Sequence, residues 1–159
     1  DEVTITSCDE GALGKLVIPT IIEGKPVTSI GHHAFHRCTN LSSITIGNAV
    51  TSIGERAFYN CEGLTSITIP DSVTIIFSFA FDGCTNLTDI TIPKSVTRIG
   101  QGVFVSCENL IRVSFLGDVP YFGANIFLGA TPTIYRKPDA KGWGDTFGKR
   151  PVKLISEKP

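Results

Sequence analysis

From Leu64 to Asn86 the chain reads LTSITIPDSVTIIFSFAFDGCTN, and its apolar positions recur every 23 residues on either side. Leu41, Leu64, Leu87 and Leu110 share that step, and so do Ile30, Ile53, Ile76 and Ile99. Phe35, Phe58, Phe81, Phe104 and Phe127 form a third column, and Cys38, Cys61, Cys84 and Cys107 a fourth. Columns of different residue types on one period are the mark of a solenoid. Each unit there buries its apolar face only against the next.

From Val27 each unit reads V-x-x-I-G-x-x-A-F-x-x-C-x-x-L-x-x-I-x-I-P, with small variations. Its L-x-x-I-x-I piece is β-branched and alternating, which predicts a strand, and Pro or Gly then ends it. One such strand per unit, always apolar on the same face, must pair in parallel with its counterparts. The V-x-x-I-G piece predicts a second short extended segment, with Gly31, Gly54, Gly100 and Gly123 as a sharp bend. In A-F-x-x-C the i, i+3 spacing of apolar residues suits one helical or 3₁₀ turn.

The ends depart from the period. Residues 1–26 are expected to form an N-terminal cap and an irregular first unit, with a short strand or hairpin over the first coil. Leu16-Val17-Ile18-Pro19 matches Ile67-Thr68-Ile69-Pro70, and five extra residues around Thr20 to Gly24 predict a loop at one edge. Regular units fill 27–130. Residues 131–159 are expected to cap the far end, with a strand at Ile134-Tyr135-Arg136, Trp143 and Phe147 laid over the last coil, and one more strand near Val152 to Ile155. The whole is one domain of about five repeats.

Composition narrows the function. An apolar fraction of 42% with 18% charged residues describes a folded chain. A net charge of -1 gives no general pull toward nucleic acid or anionic membrane, and no apolar run approaches the roughly 20 residues that span a bilayer. There is no methionine, so the chain is expected to be a processed product or a piece of something longer. Four of the five cysteines occupy one repeat position, where Ala130 stands in the last unit. They are read as buried thiols filling space, with disulfides or metal as the alternative; no C-x-x-C pair supports zinc.

The segment Val50 to Pro70, VTSIGERAFYNCEGLTSITIP, resembles the BspA-like (Treponema-type) leucine-rich repeats. The opening GKLVIPTIIEGKPVTSIG and the closing GWGDTFGKRP are similar to that family's two ends, so the resemblance covers essentially the whole chain. It implies a leucine-rich-repeat solenoid with a parallel β-sheet on its concave face, and short helical or 3₁₀ turns and loops elsewhere. It also implies a non-catalytic, adhesin-like module of a secreted or cell-surface protein, bacterial in origin and without a cofactor. Its partner would be a protein, such as a host or microbial surface protein. The chain departs from the pattern at Phe77 in place of Gly, Leu116 in place of Pro, and Ala130 in place of Cys.

Between the inward residues of the L-x-x-I-x-I strands, two columns face out. One holds Ser43, Ser66, Asp89 and Arg112. The other holds Thr45, Thr68, Thr91 and Ser114, extended by Val17 and Tyr135. They are the candidate partner-binding platform, with Asp89, Arg112 and Tyr135 as its distinctive groups; the bland alternative is that Thr suits exposed strand positions. Phe77 and Phe79 are a second candidate, an exposed aromatic patch. His32, His33 and His36 cluster in the first turn, but their counterparts in later units vary in type, and no completing ligand set lies nearby. No nucleophile elbow or phosphate loop occurs. Water- or ice-ordering by the Thr column and carbohydrate stacking on Tyr135 are lesser alternatives. A spacer or accessory module of a larger secreted enzyme is the main one.

Overall fold

The structure, a computed structural model, describes residues 1–155. Those residues form stacked coils with no helix among them. On one face β1 (Val3–Ile5), β4 (Lys25–Ile30), β6 (Ser52–Ile53), β8 (Ile75–Ile76), β10 (Arg98–Ile99) and β12 (Tyr121–Phe122) run in parallel, while β3 (Ile21–Ile22) pairs antiparallel with β4. The concave face is built from the L-x-x-I-x-I strands, in two blocks. The first holds β2 (Gly14–Val17), β5 (Leu41–Thr45) and β7 (Ser66–Thr68). The second holds β9 (Asp89–Ile92), β11 (Arg112–Phe115), β13 (Thr133–Arg136) and β15 (Arg150–Leu154), with β14 (Thr146–Phe147) antiparallel on β15.

Between the faces lies one continuous apolar core of the repeating columns. The five phenylalanines stack almost face on, with ring centroids 5.1, 5.3, 5.7 and 5.6 Å apart. Each of Phe58, Phe81 and Phe104 is fully enclosed by its two neighbours. Burial of such a ring contributes about 1.5–3 kcal/mol, and none of it is available to an isolated unit. The stacking is therefore obligatory.

The A-F-x-x-C segments close single i→i+3 turns, as from the Cys38 N–H to the Phe35 carbonyl at 3.1 Å, but none continues into a helix. In each of the five coils from Gly31 onward two residues adopt left-handed backbone: His33, Arg56, Phe79, Gly102 and Asn125 in one column, and Arg37, Asn60, Gly83, Ser106 and Gly129 in the other. A left-handed residue stops a helix. The N–H groups of His33, Phe35 and Arg37 instead donate to the carbonyls of Glu55, Ala57 and Tyr59 in the next coil, at 3.1, 2.7 and 2.9 Å. The pattern repeats up to Gly102, Phe104 and Ser106, which donate to Ala124, Ile126 and Leu128. Left-handed backbone costs roughly 1–2 kcal/mol per non-glycine residue. Three hydrogen bonds per coil return about 0.5–1.5 kcal/mol each, and the burial of Ala, Phe and Cys settles the balance.

Three other expectations change. The bend glycines do not have left-handed backbone; they are there because the coils approach too closely for a side chain. A Cβ on Gly54 would lie 2.7 Å from the Gly31 carbonyl carbon, and one on Gly100 would lie 2.3 Å from the Ser78 nitrogen. The five-residue insertion is not a loose loop but a β-hairpin, β3 against β4, turning at Glu23-Gly24 with positive φ at both. The expected five repeats become six, because the irregular first unit stacks as a full coil.

The two ends are closed differently. At the start, β1 adds to β4 in parallel, and Cys8 lies against the core. At the finish, Phe147 is buried against Phe115, Phe122 and Phe127, with ring centroids 5.0, 4.2 and 6.2 Å away. Trp143 leans on Phe115 and donates its Nε1 hydrogen to the Gly117 carbonyl at 3.2 Å.

Candidate functional site

Strand register sets the outward columns. Ser43 pairs with Ser66 and Thr45 with Thr68; in the second block Asp89 pairs with Arg112 and Thr91 with Ser114, which pairs on with Tyr135. Val17 pairs with Thr45 at the head of the second column. Among the described residues no backbone ladder joins β7 to β9, so the hydrogen-bonded sheet breaks between Ser66 and Asp89 and between Thr68 and Thr91, although the two strands remain neighbours. Register also adds three residues absent from the sequence reading. Lys15 aligns with Ser43, Thr133 with Arg112, and Lys153 with Tyr135. Lys15 and Thr133 were legible by stepping two residues back from Val17 and Tyr135. Lys153 was not, because β15 follows no repeat.

Thr45, Ser66, Thr68, Asp89, Thr91 and Arg112 are exposed, and Ser43, Ser114 and Tyr135 are half-buried. The Arg112 guanidinium carbon lies 4.5 Å from the centre of the Tyr135 ring. Arg112 thus reaches diagonally across the strand order to the aromatic face, a cation–π contact worth about 0.5–1 kcal/mol at an exposed site. Asp89, in register with Arg112, forms no ion pair with it among the described residues. Thr91 also borders a depression of about 520 Å³ shared with Asn48, Asp71 and Ser72.

The aromatic candidates separate. Phe77 is exposed, whereas Phe79 is half-buried, with the Arg56 guanidinium 4.9 Å over its ring and Gly102 directly beneath it. On the turn face His32, His33 and His36 pack edge to face, with ring centroids 4.1 and 5.1 Å apart. Burial, then the neighbouring His32, His36 and Arg56, hold the His33 pKa below its ordinary value. His32 Nδ1 lies 4.0 Å from Oε2 of Glu55, whose other oxygen, Oε1, accepts from Arg56 at 2.9 Å. Among the described residues no group of three or more His, Cys, Asp or Glu side chains could hold a metal. The five cysteines are all free. No described helix is long and apolar enough to cross a membrane.

Stacked parallel coils with a leucine-rich strand in each define a leucine-rich-repeat solenoid. The sequence profile of the BspA type leucine rich repeat region matches residues 10–133 in six copies, and the chain belongs to that family. Among solved structures it is similar to a leucine-rich repeat protein of Treponema pallidum. The identity is 31% and the TM-score 0.70, over 76% of this chain and 57% of the other. It is similar too to a leucine-rich repeat protein of Bacteroides capillosus, at 28% identity and a TM-score of 0.58, over 76% and 86%. The pneumococcal vaccine antigen PcpA shares the fold at 22% identity and a TM-score of 0.61, over 86% and 44%. The chain thus spans 57% of the length of the Treponema protein. No curated protein matches it by sequence.

Proposed function

We propose that the chain is a non-catalytic protein-interaction module, adhesin-like, of a secreted or cell-surface bacterial protein. It holds its partner on the outward columns of the concave face. The observation that carries this reading is the Arg112–Tyr135 contact beside an unpaired Asp89 on an otherwise hydroxyl-lined sheet. Such a face offers a planar cation, an aromatic ring and a carboxylate in fixed register. That is the chemistry of a protein contact rather than of a reaction.

Size sets the strength of the contact. Seven strands spaced by about 4.8 Å span roughly 30 Å, and each is only three to five residues long. The platform is smaller than the ~800 Å² per partner of a stable pair. One copy binds weakly, and avidity supplies the rest. In the test, a multimerised form captures partners from extracellular-matrix, serum and microbial-surface extracts beside an Asp89→Ala/Arg112→Ala/Tyr135→Ala control. Capture by the native form that is lost in the control supports the module. Equal capture, or none, transfers the weight to a spacer or accessory role.

A further inference from the structure

The stacked turns carry a consequence at the end opposite the N-terminal cap. Three peptide groups per coil point the same way, each N–H toward the next coil and each carbonyl toward the previous one. Their dipoles add along the stack as they do along a helix, leaving partial positive charge where the N–H groups run out. They run out at Asn125, Phe127 and Gly129. Among the described residues, none of these three N–H groups has an acceptor, whereas every equivalent N–H from His33 to Ser106 has one. Asn125 and Gly129 have left-handed backbone and the residues between them do not, and turns that mix the two gather N–H groups into anion-binding concavities.

All three residues line one cavity of about 600 Å³. The β14–β15 hairpin crosses beside it at Gly148, which packs on the side chains of Ile126 and Phe127 and leaves the outer backbone of the last turn open. The hairpin contributes Lys149 and Arg150 to the wall, and no Asp or Glu lines the cavity. Arg150 Nε is buried with no hydrogen-bond partner among the described residues. A buried guanidinium nitrogen without an acceptor carries an uncompensated desolvation cost. The Arg150 side chain lies in the cavity wall, so its charge faces whatever anion enters.

We propose that this cavity is an oxyanion site, taking the sulfate, phosphate or carboxylate group of a small ligand. The N–H groups of Asn125, Phe127 and Gly129 donate to the anion's oxygens, and Lys149 and Arg150 neutralise it. The site is separate from the concave face and does not depend on the function proposed for that face.

The test is an amide ¹H–¹⁵N titration of the full chain, with sodium chloride exchanged for sodium sulfate at constant ionic strength. Sodium acetate and galactose 6-sulfate form parallel arms. The expected result is a saturable downfield shift of the Asn125, Phe127 and Gly129 amides on a single isotherm. Affinity should fall at least tenfold in Lys149→Asn/Arg150→Gln, in which Asn suits the left-handed backbone at 149 and the thermal midpoint serves as the folding control. Tighter binding of the sugar sulfate than of inorganic sulfate identifies an ester-borne anion, and the reverse identifies the free ion. Linear shifts, shifts spread over the surface lysines, or undiminished affinity in the double variant would overturn the site.

Discussion

Each interior cysteine fits a narrow slot. The Sγ of Cys61, Cys84 and Cys107 lies 2.9, 3.2 and 3.1 Å from the carbonyl oxygens of Phe35, Phe58 and Phe81 in the preceding coil. A thiol there fills a small apolar space and gives an inward carbonyl a second donor beside the backbone N–H it already accepts. Burial is the largest cause that pushes the Cys61 and Cys107 thiols up to about 12, and it raises Cys84 as well. At pH 8 these thiols are protonated and enclosed, and the thiolate is the reactive form. Iodoacetamide should therefore modify one thiol per native chain, at half-exposed Cys8, and all five in denaturant. Mass spectrometry reads the count, and rapid native labelling of Cys61 or Cys84 would sink the idea.

At the scale of the element, the glycine column decides how closely coils stack. Gly54 donates its N–H to the Ile30 carbonyl at 2.8 Å, and a Cβ there would meet the backbone of Ile30 and Gly31 at 2.7 Å. Backbone on the far side cannot rotate away as a side chain can. Gly54→Ala should destabilise the array by about 1–3 kcal/mol, the usual cost of overpacking. Gly144→Ala, whose Cβ would find only the Thr146 oxygen at 4.0 Å, should stay within about 0.5 kcal/mol of the native chain. Urea melts compare the two, and equal midpoints would refute the close-approach account. The i, i+3 spacing gives single turns and no helix for a local reason: left-handed residues such as His33 and Arg37 send their N–H groups to the next coil.

For the molecule as a whole, stability depends on closing the stack. A repeat array is a sum of neighbour interfaces, and its last coil needs a cover. Phe147 is that cover, touching Phe115, Phe122, Phe127 and Trp143. A chain ending at Arg136 would lose β14 and β15 and bare the rings of Phe115 and Phe127. Loss of the Phe147 burial alone removes about 1.5–3 kcal/mol. The truncated chain should melt earlier and self-associate in size-exclusion chromatography. An unchanged melt and a monomeric elution would show that the hairpin is dispensable.

The period of 23, the columns that point inward and the family are legible in the residues, because burial repeats the same demand at the same place in every coil. The outward columns followed from the same alternation, and the role of Phe147 from two aromatics set in a Gly- and Pro-rich end beyond the repeats. What the turn segment does was decided only by tertiary structure, since one left-handed residue redirects a peptide and leaves no mark in a pattern of apolar spacing. The Arg112–Tyr135 contact and the break between β7 and β9 belong there too, because they depend on diagonal reach and on pairing between coils. So does the row of unanswered N–H groups at Asn125, Phe127 and Gly129: a column of hydrogen bonds acquires an end only when the coils are stacked in space.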